Sequence, residues 1–283
     1  MKADLHTHTT FSDGIKTNIE LLKMAAQNGL DVISITDHDT CRNVDENLKL
    51  AKSLGITYIP GIELSTLEQN RSVHVLGYFT DKSYENKEMK EYYTFIKKSR
   101  EDRTRKFISK LKLYFNIEIT YYDVLSFSDG IIARPHIAKA INKNYPEYSF
   151  NYIFEEFIGD HSKAFVPSSK LKVEAGIELL RRNNCIVVLA HPVLLKEKIR
   201  EQVLSYNYDG IEARYYRNDE FDESFFKDFA SKRGMVITGG SDYHGIKNDS
   251  KHGTVGEYYI GEDVEEFLTM YKEKVTLWKK TIW

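Results

Sequence analysis

Short β-branched and apolar runs alternate with amphipathic helical stretches along most of this 283-residue chain, and that rhythm constrains its fold more than any other feature. Lys2–His6 predicts a strand, and Asn18–Gln27 a helix that Thr17 can cap and Gly29 can end. Asp31–Thr36 (DVISIT) predicts a buried strand from its β-branched content. A helix at about Asp45–Ser53 follows, then strands at Ile56–Pro60 and Ser72–Phe79. After Tyr84 the rhythm changes. A charged helical stretch reaches about Tyr114, and short helical segments continue to about Gly159 without a convincing strand. Alternation resumes with a helix near Val173–Arg182, strand Cys185–Ala190 and a helix near Glu197–Leu204. Strand Gly210–Ala213, a helix near Glu220–Lys232, strand Met235–Thr238 and a last helix after Gly261 complete it. The pattern favours a parallel α/β sheet or barrel in two parts, 1–95 and 166–283, separated by a helical insertion over 96–165.

Residues of ligand type sit where such a fold brings them together. His6 and His8 end the first strand, with Asp13 on the loop behind them. His38 closes the second strand in Thr36-Asp37-His38-Asp39, Glu63 follows the third, and His74 lies near the start of the next. His191 ends Val187-Val188-Leu189-Ala190, and Asp242 and His244 follow Thr238-Gly239-Gly240-Ser241. In parallel α/β folds the strand C-termini form the active face. Singly, each residue has an ordinary explanation: a strand-end histidine is more often structural than a ligand. Asp13 in Ser12-Asp13-Gly14 suits a turn, and Asp37 or Asp39 could cap a helix or orient the His38 ring. Jointly they are harder to dismiss, because six of the nine histidines fall at strand borders. Imidazole with carboxylate suits divalent Mn, Fe or Zn. A carboxylate such as Glu63 can bridge two ions, an arrangement used for phosphoryl chemistry.

Composition removes several other classes. A hydrophobic content of 41% with 29% charged residues is that of a folded globular chain. The formal net charge of -2 excludes a whole-molecule grip on long duplex nucleic acid, so a polyanion must meet a local patch or bound cations. Cys41 and Cys185 have no CxxC spacing, which excludes a thiolate zinc site and a disulfide framework and leaves Cys41 a bystander. Apolar runs such as Cys185–Ala190 are too short to span a bilayer, and a strand starting at Lys2 leaves no room for a signal peptide. The expectation is a cytoplasmic protein with no membrane partner; the sequence carries no signature of its oligomeric state.

The segments Asp4-Leu5-His6-Thr7-His8, Ile35-Thr36-Asp37-His38-Asp39, Ala190-His191-Pro192 and Ser241-Asp242-Tyr243-His244-Gly245 occur in that order. They resemble the four signature motifs of the PHP (polymerase and histidinol phosphatase) superfamily of metal-dependent phosphoesterases. Gly61-Ile62-Glu63 and His74 match the intervening ligand positions, so the resemblance spans Leu5 to Gly245. It implies a distorted (β/α)7 barrel with two to three divalent ions. By position, one ion would be held by His6, His8, Glu63 and Asp242. A second would share Glu63 and add His74 and His191, and a third would use Asp13, His38 and His244. Some relatives carry histidine where Asp13 stands, which bears on the affinity of that third position.

The insertion, with Ala133-Arg134-Pro135-His136-Ile137-Ala138, resembles the branch of the superfamily acting on nucleotides, and so implies a substrate cap. That branch includes nucleoside 3′,5′-bisphosphate phosphatases and 5′–3′ exonucleases on short RNA. Arg134 is the candidate phosphate ligand, since a guanidinium binds phosphate in bidentate fashion, and His136 is a weaker candidate for the same pocket. The basic run Lys97–Lys112 is by default a solvated helix face, unless Arg100 and Arg103 turn towards the metals. Tyr215 and Tyr243 could stack on a base, although tyrosines there more often pack. The implied reaction is attack of a metal-bridging hydroxide on phosphorus. The alternatives are a histidinol-phosphate phosphatase, an amidohydrolase barrel, which also begins with His-x-His, and a non-catalytic metal or nucleotide sensor.

Overall fold

The computed structural model describes residues 1–246, 252–257 and 261–281. Its strands are β1 Ala3–Asp4, β2 Val32–Ile35, β3 Thr57–Glu68, β4 Arg71–Phe79, β5 Leu171–Lys172, β6 Cys185–Leu189, β7 Gly210–Tyr215 and β8 Val236–Gly240. Seven of them follow the order β1-β2-β3-β4-β6-β7-β8, with β5 paired to β3 at the side. The two edges nearly meet. Leu5 N–H donates to the Gly239 carbonyl at 3.1 Å and His8 N–H to the Tyr243 carbonyl at 2.9 Å. The buried Asp4 carboxylate reinforces this seam by accepting from Ser241 N–H (3.0 Å), Ser241 Oγ (2.7 Å) and Gly256 N–H (3.0 Å). The result is a nearly closed seven-stranded barrel, as the resemblance implies.

Alternating residues on each strand face two cores, as period-two side chains must. Leu5, Ile59, Leu76, Tyr78, Ile186 and Val188 fill the barrel interior, and Phe267 from the C-terminal helix joins them, its ring 5.0 Å from that of Tyr78. Ile33, Val75, Val187 and Leu189 face outwards onto the surrounding helices. The helices are α1 Asn18–Gln27, α2 Val44–Ser53, α3 Lys87–Phe115, α4 Tyr121–Leu125, α5 Arg134–Asn144, α6 Phe150–Tyr152, α7 Val173–Arg182, α8 Glu197–Leu204, α9 Glu220–Arg233 and α10 Val264–Thr281. Thr17 caps α1 in a reciprocal box with Glu20, and Gly29 beyond its end has φ +71°, the left-handed backbone that glycine adopts without strain.

The structure corrects two sequence expectations about the sheet. It is mixed, not parallel, because β3 and β4 form an antiparallel hairpin and β4 also runs antiparallel to β6. The third strand does not stop at Pro60 but continues to Glu68, so Glu63 lies within it. The apolar–polar alternation beyond Pro60 is blurred because β3 stays buried almost throughout, which hides a strand from periodicity. The reversal of β4 has a consequence for the site. His74, close to the N-terminal end of β4, pairs with Ser65 and so reaches the same end of the barrel as the C-termini of the parallel strands.

Residues of the insertion possess a separate core built from Phe107, Leu111, Ile117, Ile132, Ile137, Ile141, Phe157 and Val166. Helix α3 joins the two bodies: Met89, Tyr92 and Ile96 pack into the barrel core, whereas Phe107 and Leu111 belong to the second. No helix among the described residues is long and apolar enough to cross a membrane.

Candidate metal centre

All nine ligand-type residues named from the sequence converge at one end of the barrel. Glu63, fully buried on β3, lies at the middle. Its carboxylate is approached by His6 Nε2 at 3.3 Å, His8 Nε2 at 3.2 Å, His38 Nδ1 at 2.7 Å, His74 Nδ1 at 2.8 Å and His191 Nε2 at 3.0 Å. Asp242 Oδ1 meets His6 Nε2 at 3.3 Å and His8 Nε2 at 3.1 Å. Asp13 lies 3.2 Å from His244 Nε2 and 3.9 Å from His38 Nε2. Backbone geometry helps to turn these groups inward: His191 (φ +25°) and Asp242 (φ +51°) hold positive-φ conformations, which cost of order 1–3 kcal/mol and mark functional sites. Gly240 is required for the approach of β8, since a Cβ there would come within 2.5 Å of His6 Cβ.

The donor set fits divalent cations. His6 Nε2, His8 Nε2, His38 Nδ1, His74 Nδ1, Glu63 Oε2 and Asp13 Oδ1 are buried and make no hydrogen bond among the described residues, despite lying close together. Their lone pairs converge on shared space instead of meeting donors, which a folded protein tolerates where an ion satisfies them. Compact groups of potential ligand atoms comprise His6, His8, Glu63 and Asp242; His8, Asp13, His38 and His244; and His38, Glu63 and His74. The grouping implied by family position differs in detail, for it pairs His74 with His191, and His191 here meets Glu63 from beside the His6 ring.

Electrostatics point the same way. Burial opposes ionisation of Glu63, Asp13 and Asp242, yet the surrounding imidazoles hold all three well below the ordinary carboxylate range. Burial likewise opposes protonation of His6, but Glu212, Asp242 and Glu63 outweigh it and raise that imidazole well above its usual value. Burial also opposes protonation of His8, but Asp242 and Glu63 outweigh it and raise that imidazole to about 10. His74 differs, because burial dominates and lowers it to about 4, leaving a neutral imidazole suited to ligation. The carboxylates demand positive charge, which protons or cations can supply.

Several supporting residues escaped the sequence reading. Glu212 on β7 accepts from His191 N–H at 2.7 Å and lies 3.0 Å from His6 Nδ1, fixing which nitrogen of His6 faces the cluster. His252 joins Asp242 and His244 in another group of potential ligands, its ring 4.0 Å from that of His244. No strand-end signal marked either residue: Glu212 lies inside β7 and His252 in a loop. The expected partners of His38 also need correction. Asp37 instead accepts from Thr9 N–H (2.8 Å) and Thr9 Oγ1 (2.6 Å), bracing the loop that carries Asp13. Asp39 accepts from Ser65 N–H and Tyr92 Oη, both at 2.8 Å, and from Arg100.

A cavity of about 780 Å³ opens beside the cluster, lined by Asp13, His38, His74 and His191 together with Arg100, Arg103, Arg134 and Lys170. Arg100 is tied down by Asp39, Ser65 Oγ (3.1 Å) and the Ile132 carbonyl (3.2 Å). Arg134 bonds Asp160 at 2.8 Å. Among the described residues Arg103 uses only Nε, which donates to the Val166 carbonyl at 2.8 Å. Burial, then Arg134 and Arg100, lower Arg103 to about 10; burial and Arg100 lower Lys170 to about 8. His136 does not line this cavity. It is buried, and its Nδ1 accepts from Ala133 N–H at 2.9 Å, so it braces the start of α5. Tyr215 is buried as well, its hydroxyl donating to Asp242 at 3.0 Å, and Tyr243 packs in the core; neither offers a stacking face.

Known proteins resemble this chain in sequence and fold. The chain is 27% identical over 249 residues to a 5′-3′ exoribonuclease of Haemophilus influenzae, covering 86% of this chain and 90% of that one. It is 24% identical over 253 residues to a phosphoribosyl 1,2-cyclic phosphate 1,2-diphosphodiesterase of Eggerthella lenta, covering 87% and 95%. A solved structure of a candidate metal-dependent phosphoesterase from Bifidobacterium adolescentis superposes with a TM-score of 0.82 at 27% identity, over 94% of this chain and 95% of that one. Residues 4–216 match the PHP domain, and the chain belongs to that family.

Proposed function

We propose that this protein is a metal-dependent phosphoesterase that hydrolyses nucleotides, such as a nucleoside 3′,5′-bisphosphate, or short 5′-phosphorylated RNA. The observation that carries the reading is the shared cavity: potential metal ligands and four cationic side chains, three guanidiniums and an ammonium, line the same space. Cations crowded at this depth repel one another, and a second phosphate group between them relieves the repulsion. A substrate carrying a second phosphate besides the reacting one gives these cations an anionic partner. Relatives named for RNA and for a ribose cyclic phosphate agree with that substrate class.

Two or three divalent ions, Mn, Fe or Zn, held by His6, His8, Asp13, His38, Glu63, His74, His191, Asp242 and His244, would supply Lewis acidity and an activated water. The chain's own residues do the rest. Glu212 and Asp37 hold the ligand-bearing elements in place before substrate arrives. Arg103 and Arg134, both within residues 96–165, bind the remote phosphate, which makes the insertion a substrate cap. Lys170 donates to Ser72 Oγ at 2.8 Å, and Ser72 Oγ lies 3.1 Å from His74 Nε2, so this ammonium also helps to orient a ligand-type ring.

The test, with the metal-loaded protein, is phosphate release from a nucleoside 3′,5′-bisphosphate and from histidinol phosphate, and mononucleotide release from a 5′-phosphorylated tetranucleotide. The bisphosphate or the tetranucleotide is expected to exceed histidinol phosphate by at least tenfold in kcat/KM. Equal or better turnover of histidinol phosphate would overturn the substrate assignment, and hydrolysis of none would overturn the enzyme assignment.

A further inference from the structure

The cavity does not end at Arg103. A second groove of about 360 Å³ shares Arg103 and Pro167 with it and continues along α3 past Phe95, Lys98, Asp102 and Lys106. A third depression shares Phe95 with the second and adds Lys87, Lys90, Glu91 and Thr94. Steps of three and four residues make each a neighbour of the next, so they form a continuous strip that winds partly around the helix. From Arg103 back to Lys87 a helix rises about 24 Å, at 1.5 Å per residue, which is the reach of several nucleotides. Five cationic side chains, Lys87, Lys90, Lys98, Arg103 and Lys106, line this track against two carboxylates, Glu91 and Asp102. That local excess stands out in a chain whose formal net charge is -2.

Phe95 lies at the junction of the two grooves and is 50% exposed. An exposed aromatic face between lysines is the combination that binds single strands: the cations track phosphates, and the ring stacks on an unpaired base at about 1–3 kcal/mol per base. We propose that the α3 track carries the body of a single-stranded oligoribonucleotide whose reacting phosphate lies at the metal centre. The inference rests on the phosphoesterase reading and adds a chain-length preference to it. A polymer running this way crosses Arg103 with a backbone phosphate, so one guanidinium serves the cavity and the track together.

Charge reversal tests it without touching the cavity. In the triple variant Lys90→Glu, Lys98→Glu, Lys106→Glu and in Phe95→Ala, all changes lie on exposed positions of α3. The metal-loaded wild type is expected to show kcat/KM rising with RNA length from two to about six nucleotides. The triple variant should lose at least tenfold on a 5′-phosphorylated hexanucleotide, with a flatter salt dependence, and stay within twofold on a nucleoside bisphosphate. Phe95→Ala should lose threefold or more on the hexanucleotide alone. An unchanged rate on the hexanucleotide, or an equal loss on both substrates, would overturn the track. Wild-type activity on the bisphosphate without any on RNA would overturn it while leaving the phosphoesterase reading intact, whereas inactivity on both would defeat that reading itself.

Discussion

Glu63→Gln is expected to lower kcat/KM for phosphate-ester hydrolysis about 10³-fold, roughly 4 kcal/mol of transition-state stabilisation, and to reduce bound metal by at least one equivalent per chain. The size follows from position. Five imidazoles surround this one buried carboxylate, and no other acid in the cluster approaches so many of them. Glutamine keeps the shape but removes the charge, so cations on either side lose their shared anionic partner. Circular dichroism should show a folded barrel, since glutamine is nearly isosteric with glutamate. Metal content by elemental analysis and single-turnover rates check the expectation. Activity within tenfold of wild type would remove Glu63 from the centre of the account.

Arg103→Met and Arg134→Met are each expected to raise KM for a nucleoside bisphosphate by about 10–100-fold, because a charge-assisted bond to phosphate contributes about 1.5–3 kcal/mol. Methionine keeps much of the aliphatic length, and its thioether can take the place of the Arg103 guanidinium over the Phe107 and Phe165 rings, which limits the loss of stability. The discriminating readout is a substrate with one phosphate, for which both variants should match wild type within threefold. Equal losses on one- and two-phosphate substrates would mean that these guanidiniums support the fold and not the remote phosphate. Of the two, Arg103 should have the larger effect, because Arg134 already has Asp160 as a partner.

The sequence disclosed the site better than the sheet. His6, His8, His38 and His191 could be gathered in advance because a β-branched run followed by a polar ligand marks a strand exit, and parallel strands exit on one side. His74 obeys the same geometry for a different reason, the antiparallel course of β4, which nothing in the composition of Ser72–Phe79 distinguishes from a parallel strand. Glu212 was illegible: an acid within Gly210–Tyr215 has no local signal until the fold places it against His6 and the backbone of His191. His136 failed in the opposite direction. Its neighbours Arg134 and Pro135 gave it a functional context, yet burial and a bond to Ala133 N–H commit it to the helix start. Within Lys97–Lys112, helical phase separates the roles that sequence merged, sending Arg100 and Arg103 to the cavity and Lys98 and Lys106 to the groove beyond.

The central claim is that this histidine–carboxylate cluster binds the cations that drive phosphate-ester hydrolysis. Stripping the protein with a chelator and titrating Mn²⁺ back, with phosphate release from a nucleoside bisphosphate measured at each addition, tests it most directly. The account predicts no activity in the stripped protein and a return that saturates at two or three equivalents per chain, accompanied by a rise in Tm as the buried ligands are satisfied. Full activity in the stripped protein, or stoichiometric binding of Mn²⁺, Fe²⁺ and Zn²⁺ in turn without any phosphate release, would contradict it.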